Sequence, residues 1–206
     1  MKTQQAFWDK AAARYAKAPI RDEASYQKKL ATTQTYFRPD WRVLEFGCGT
    51  GSTALIHAPH VSHILATDIS GNMIEIAQGK AQAAGIENVR FERGTLDSLA
   101  LEPGSFDAVL GLNILHLLDD VKGTITRVHG LLKPGGIFVS SSVMMAEIPW
   151  YWRMLIPVAQ LVGLAPNIAR FSKNGLVKML TDAGFSIDHE WQPGKMSVFI
   201  VAKKSV

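Results

Sequence analysis

The chain has 206 residues, 47% hydrophobic and 19% charged, the make-up of an ordinary folded domain with a sizeable core. Its net charge of +4 comes from scattered Lys and Arg, so no basic run marks a nucleic-acid patch. Cys48 is the single cysteine, which excludes an intramolecular disulfide and a cysteine-rich metal site.

The start, Lys2-Thr3-Gln4-Gln5, is polar and reads as cytoplasmic rather than as a secretory leader. Residues 4–17 predict an amphipathic helix, with Phe7, Trp8, Ala11, Ala12 and Tyr15 on one face. Pro19 ends it. A second helical stretch, 21–38, is broken by Pro39-Asp40. A βα core does not need these two helices, so residues 1–40 are expected to form a lid over a ligand.

Residues 41–46 predict a strand that runs straight into Gly47-Cys48-Gly49-Thr50-Gly51. Glycine lets the backbone of such a loop approach a ligand closely. Ser52 is expected to cap the following helix. The spacing is Gly-x-Gly-x-Gly, and Ser52 stands where a dinucleotide fingerprint has its third glycine. Glu45 at the loop mouth opposes a pyrophosphate on the helix N-terminus. It suits a ligand with an ammonium group and no phosphates, a profile that S-adenosylmethionine has.

The chain then alternates. A strand over 62–67 ends at Asp68, and Ser70 caps a helix that runs to about 84 before Gly85. Strands over 89–92 and 106–110 follow, then a helix over 119–132 closed by Lys133-Pro134-Gly135-Gly136, and a strand over 137–142. This rhythm predicts an α/β fold with a parallel, doubly wound sheet and the ligand at the carboxyl ends of its strands. Glu45, Asp68, Thr95 and Asn113 all fall at such ends. Asp68 is placed to accept hydrogen bonds from a ribose, and Ile69 and Met73 either flank an adenine or belong to the core. His57, His60 and His63 are spaced in threes, but nothing completes a metal site there, so no metal is expected.

Residues 148–166 are mostly apolar and aromatic, yet Arg153, Pro157 and Gln160 make them a poor membrane span. Residues 143–173 read as a cap packed on the sheet, as an apolar lid over a lipophilic acceptor, or as a surface that touches a membrane through Trp150, Tyr151 and Trp152. Ser172 opens a last helix over 173–183, before a hairpin of 185–191 and 196–202.

Leu44-Glu45-Phe46-Gly47-Cys48-Gly49-Thr50-Gly51, Ala66-Thr67-Asp68-Ile69-Ser70, Ser105-Phe106-Asp107-Ala108-Val109 and Leu131-Leu132-Lys133-Pro134-Gly135-Gly136 stand in that order. Together they resemble the ordered motifs of class I S-adenosylmethionine-dependent methyltransferases, above all the small bacterial ubiquinone/menaquinone-biosynthesis enzymes, across residues 7–203. The resemblance implies a three-layer, Rossmann-like fold, a single domain with its cofactor core at 41–142. Its sheet would have seven strands, mostly parallel, with the last strand of the 174–206 segment inserted antiparallel. It further implies that Glu45 and Gly47 hold the methionine amino end, that Gly49 allows close approach in the loop beside Cys48, and that Asp68 takes the ribose. The family's adenine-binding acid is replaced: Gly94-Thr95-Leu96 stands in its place, with Asp97 two residues after Thr95. Either Thr95 and the Leu96 backbone, or Asp97, would meet the adenine. Asn113 would lie beside the methionine portion.

The expected reaction is methyl transfer to a small-molecule acceptor, lipophilic in the sharper reading, with S-adenosyl-L-homocysteine as product. His116 is the foremost general base in sequence, or else a histidine that orients its loop. Two alternatives stand: an S-adenosylmethionine-binding protein without catalysis, and a nucleic-acid methyltransferase. The latter lacks its marks, since Leu112-Asn113-Ile114-Leu115 follows the fourth strand and Cys48 is alone. Cys48 itself reads as a small loop residue rather than a nucleophile. Sequence does not fix the oligomeric state.

Overall fold

The computed structural model describes residues 2–144, 169–194 and 196–206. Helices α1 (Lys2–Lys17) and α2 (Glu23–Gln34) precede β1 (Arg42–Phe46), α3 (Ser52–His57), β2 (His63–Asp68), α4 (Gly71–Ala84), β3 (Val89–Arg93) and β4 (Phe106–Leu112). Then come α5 (Val121–Leu131), β5 (Leu132–Val143), α6 (Lys173–Asp182), β6 (Phe185–Gly194) and β7 (Ser197–Lys204). The strands form one seven-stranded sheet in the order β3-β2-β1-β4-β5-β7-β6. The β1, β2, β3, β4 and β5 neighbours pair in parallel, whereas β7 runs antiparallel to both β5 and β6. This is the doubly wound sheet expected from the alternating pattern, with β7 as the inserted antiparallel strand.

Two cores form because side chains alternate across a strand. Leu44 and Phe46 join the core that α5 and α6 cover through Ile125, Val128, Leu176 and Leu180. Val43 points the other way, into the core with Ala54, Ala77 and Ala81 from α3 and α4. Glu45 is in phase with Val43, so its carboxyl goes to that second side and only 3% of the residue is exposed.

Local chemistry explains most helix starts. Asp22, Ser70, Asp120 and Ser172 each accept a backbone N–H from their helix's first turn. Ser52 does not cap α3. Gly51 occupies that position in a left-handed conformation without a side-chain bond, and the Ser52 hydroxyl instead accepts from Lys80 Nζ at 3.0 Å. The Lys133–Gly136 turn likewise lies inside β5, as an irregularity in the β4–β5 ladder between Phe106 and Ala108. The apolar segment 148–166, with Trp150, Tyr151 and Trp152, lies outside the described residues. No helix among the described residues is long and apolar enough to cross a membrane.

Candidate functional site

A cavity of about 350 Å³ opens at the carboxyl ends of β1, β2 and β4, within the usual size range for small-molecule sites. Gly47 and Gly49 bring loop backbone to its wall, with Asp68, Ile69 and Met73 beside them. Thr95, Leu96 and Asn113 complete the predicted residues that line it. The segment after β4 adds Ile114, Leu117 and Leu118, and the first helix adds Gln4, Trp8 and Tyr15, which face the same space.

The loop conformation demands glycine at two places. Gly47 sits at φ +66°, and a Cβ there would fall 2.6 Å from Ile114 Cγ1. Gly51, at φ +73°, packs so closely that a Cβ would lie 2.6 Å from the Phe91 ring and 2.7 Å from Ala77. Gly51 therefore provides the close helix–strand packing that a third glycine gives a dinucleotide loop, and the change in spacing leaves that function in place. Lys80 fixes the loop from α4, donating to Thr50 O at 3.1 Å and Thr50 Oγ1 at 2.9 Å as well as to Ser52.

Asp68 is clamped by backbone. Its Oδ2 accepts from Gly49 N and its Oδ1 from Ser70 N, both at 2.9 Å. Each oxygen keeps a second lone pair. Burial raises its pKa, and the two amides pull it back only in part. Glu45 is more strongly perturbed. Burial and then the neighbouring Asp68 charge push its pKa up to about 8, and its Oε2 has no hydrogen-bond partner among the described residues. The same two acids, after burial, push the Cys48 thiol up. No ion pair to Glu45 or Asp68 occurs among the described residues. The site thus holds two neighbouring carboxyls that lack a cation.

Three expectations change. Glu45 is not at the loop mouth but buried beneath the wall, because strand alternation turns it to the Val43 side. Cys48 is also buried off the wall, 9% exposed. His116 does not line the cavity either. Its Nδ1 accepts from Val143 N at 3.4 Å, its carbonyl accepts from Ala169 N at 2.8 Å, and burial lowers its pKa to about 4. So low a value makes it a weak proton acceptor.

At the replaced acid, Thr95 and Ser98 exchange hydrogen bonds: Thr95 N donates to Ser98 Oγ at 2.8 Å and Ser98 N to Thr95 Oγ1 at 3.2 Å. Asp97 pairs instead with Arg127, whose Nε also donates to Leu96 O at 2.8 Å. Both Thr95 and Asp97 line the cavity, but only Asp97 already has a cationic partner.

Residues 43–136 match the model of the methyltransferase-domain family. That stretch, just under half of the chain, is similar to a methyltransferase domain. Over 102 residues it is 38% identical to the uncharacterized methyltransferase YcgJ of Bacillus subtilis, an alignment covering 50% of this chain and 40% of that protein. A demethylmenaquinone methyltransferase of Symbiobacterium thermophilum is 26% identical over 139 residues, covering 61% of this chain and 54% of that protein. The chain therefore spans less than two thirds of the length of these curated relatives. In structure, YcgJ superposes with a TM-score of 0.73 at 21% identity over 87% of this chain and 99% of that one. The [4+2]-cyclase SpnF superposes with a TM-score of 0.75 at 19% identity, over 92% and 84%. At these identities the structural likeness shows the fold alone.

The matched stretch contains every predicted site residue, but not the whole cavity wall. Gln4, Trp8 and Tyr15 come from α1, outside the matched stretch. Trp8 and Tyr15 were legible on one helical face in the sequence, but Gln4 was not, nor was which residues turn to the cavity. Helix α1 is held down at its first turn and at its middle. Gln4 Nε2 donates to Leu117 O at 3.1 Å, and Asp9 Oδ1 accepts from Ser70 Oγ at 2.7 Å. Asn72 Nδ2 adds a bond to the Asp9 carbonyl at 3.0 Å.

Proposed function

We propose that this chain transfers a methyl group from S-adenosylmethionine to a small-molecule acceptor. The carrying observation is the Glu45–Asp68 pair, buried or half-buried, with raised pKa values and an unpartnered Glu45 Oε2. A ligand ammonium supplies the missing cation, whereas a diphosphate adds to the repulsion. The residues fit the cofactor on that ground. Glu45 and the Gly47 backbone would hold its amino end, with Cys48 and Gly49 in the loop beside it. Asp68 would take the ribose hydroxyls with its remaining lone pairs. Ile69 and Met73 would flank the adenine, Thr95 and Leu96 would meet its edge, and Asn113 would lie by the methionine portion.

When bound, S-adenosylmethionine supplies an electrophilic methyl group on a sulfonium. The protein's own task is then to position the acceptor and exclude water, and orientation alone can reach effective molarities of roughly 10⁵ M. Trp8 and Tyr15 on α1, as part of the 1–40 lid, would close the site over the reactants. A general base is required only for an acceptor that must lose a proton, and the placement of His116 favours a role in holding the β5 end of its loop. The finer reading is a lipophilic acceptor. It is supported by the apolar composition of residues 148–166 and by the demethylmenaquinone enzyme among the relatives.

Isothermal titration with S-adenosylhomocysteine and with NADH tests the cofactor. Heat with NADH alone would sink the proposal. Methyl-labelled S-adenosylmethionine incubated with separate polar and lipid metabolite extracts tests the transfer. Labelled product in the lipid fraction supports the lipophilic acceptor. Binding without labelled product in either fraction would instead indicate a binding protein.

A further inference from the structure

Lys29 lies on α2, outside the matched methyltransferase domain and off the cavity wall. It is half-buried, and its side-chain bond among the described residues goes to a neutral group: Nζ donates to Ser141 Oγ at 2.9 Å. Ser141, near the end of β5, is 1% exposed. An ammonium can only donate, so the Ser141 oxygen must accept from it, and the one hydroxyl proton is directed elsewhere. It goes to Asn113 Oδ1 at 3.2 Å.

Asn113 is itself unusual. It is the one non-glycine residue at positive φ among those described, at 57°, and its N–H donates to the Ser141 carbonyl at 2.7 Å. Asparagine tolerates this left-handed conformation better than most residues. Two bonds to Ser141 thus fix both its backbone and the oxygen end of its carboxamide. The two ends of a carboxamide point apart, so the Nδ2 donor end is turned from Ser141, and Asn113 lines the cavity.

We infer that Lys29, acting through Ser141, sets the Asn113 carboxamide to donate to the α-carboxylate of the bound cofactor. The inference rests on the cofactor reading above and completes it. Glu45, which pairs in register with Leu110 of β4, offers an acid to the ligand ammonium. Asn113, just past the end of that same β4, offers a donor backed by a positive charge. The two ends of an amino acid zwitterion would so meet opposite polarities. Lys29 is a positioning residue here, since Asn113 alone would touch the ligand.

The test is isothermal titration of the full chain with S-adenosylhomocysteine and with 5′-methylthioadenosine, which keeps the nucleoside but lacks the amino acid. Lys29→Met is expected to weaken S-adenosylhomocysteine about tenfold, a loss within the range for hydrogen bonds to charged groups, and to leave methylthioadenosine within twofold. Lys29→Arg restores most of the loss. Asn113→Asp accepts the same backbone conformation but sets a carboxylate against the ligand's own, and is expected to weaken S-adenosylhomocysteine by more than a hundredfold. Equal losses on both ligands would mean that the chain of bonds only supports the fold, and would overturn the inference. So would a Lys29→Met variant that binds S-adenosylhomocysteine like the parent. If the parent itself ignores S-adenosylhomocysteine, the cofactor reading fails first.

Discussion

Replacing Glu45 by Gln separates the cost of a buried acid from its use. The folded carboxyl has a pKa of about 8, against an ordinary 4.5, with burial as the larger cause and Asp68 as the second. A raised folded pKa means that the folded protein holds a proton the unfolded chain gives up. This stabilisation is complete below pH 4.5 and is lost as pH rises to about 8. The interval is three and a half units, and at ~1.4 kcal/mol per unit it caps the effect on the order of 4–5 kcal/mol. Glu45→Gln keeps the shape and cannot ionise. It is therefore expected to differ little from the parent near pH 5 and to become progressively more stable than the parent toward pH 9, by a few kcal/mol at most.

Urea unfolding of both proteins at half-unit steps from pH 5 to 9.5, without ligand, measures that difference. A flat difference across the range would refute the reasoning, because it would mean that Glu45 titrates as an ordinary carboxyl. Ligand binding should move the other way. Glu45 in the free protein is mostly protonated at pH 7, so an ammonium ligand must displace that proton. Parent affinity for S-adenosylhomocysteine is expected to rise between pH 6 and 8, with proton release visible as buffer-dependent heat. Glu45→Gln loses a charge-assisted bond worth about 1.5–3 kcal/mol, or roughly 10- to 150-fold in affinity. A variant that is stabler when free and weaker when bound is the signature of an acid retained for the ligand.

The remaining predictions concern the frame. Gly51→Ala forces a Cβ against Phe91 and Ala77 at positive φ, so urea melts should show a loss of roughly 2–4 kcal/mol. His116→Asn keeps an acceptor for Val143 N, and kcat on any identified acceptor should stay within about threefold of the parent. A pH–rate limb near neutrality that disappears in this variant would return His116 to the chemistry. Asp9→Ala frees Ser70 Oγ and the first helix from one another, and Trp8, which lines the cavity, should report faster release of S-adenosylhomocysteine by stopped-flow fluorescence. An unchanged release rate would show that α1 does not gate the site.

The fold was legible because its signals are local. Turn glycines, capping serines and alternating apolar runs placed the strands within a few residues, while the antiparallel insertion came from the family resemblance, which the hairpin after Gly184 fitted. The sequence went astray where a distant partner takes a local group. Ser52 reads as a cap until Lys80, 28 residues away, takes its hydroxyl. Asp97 reads as a ready acid until Arg127 pairs with it. Glu45 was misplaced for another reason: the mouth of a loop and the end of a strand are one position in sequence, yet strand alternation sends that side chain beneath the wall. Lys29 gave no sequence signal at all, since a lysine on a polar helix looks like a solvated one, and its role depends on β5 passing beneath it.

These placements also divide the site by origin. Every residue expected to hold the methyl donor lies within residues 43–136, the stretch that matches the family. Trp8, Tyr15 and Gln4 reach the cavity from α1, and Lys29 connects through Ser141 to Asn113 from α2, so the preceding segment bears on the cavity from outside that stretch. A fold this close to that of a [4+2]-cyclase does not define a reaction by itself. What distinguishes chemistry on such a scaffold must lie in what is laid over the strand ends. In this chain that layer includes the N-terminal helices, anchored by Asp9 to Ser70, two residues past Asp68, and by Lys29 to Ser141 of β5, which bonds Asn113. If these helices close over the strand ends as proposed, closure would order Asp68 and Asn113 together, and the acceptor would meet a donor already held at both ends.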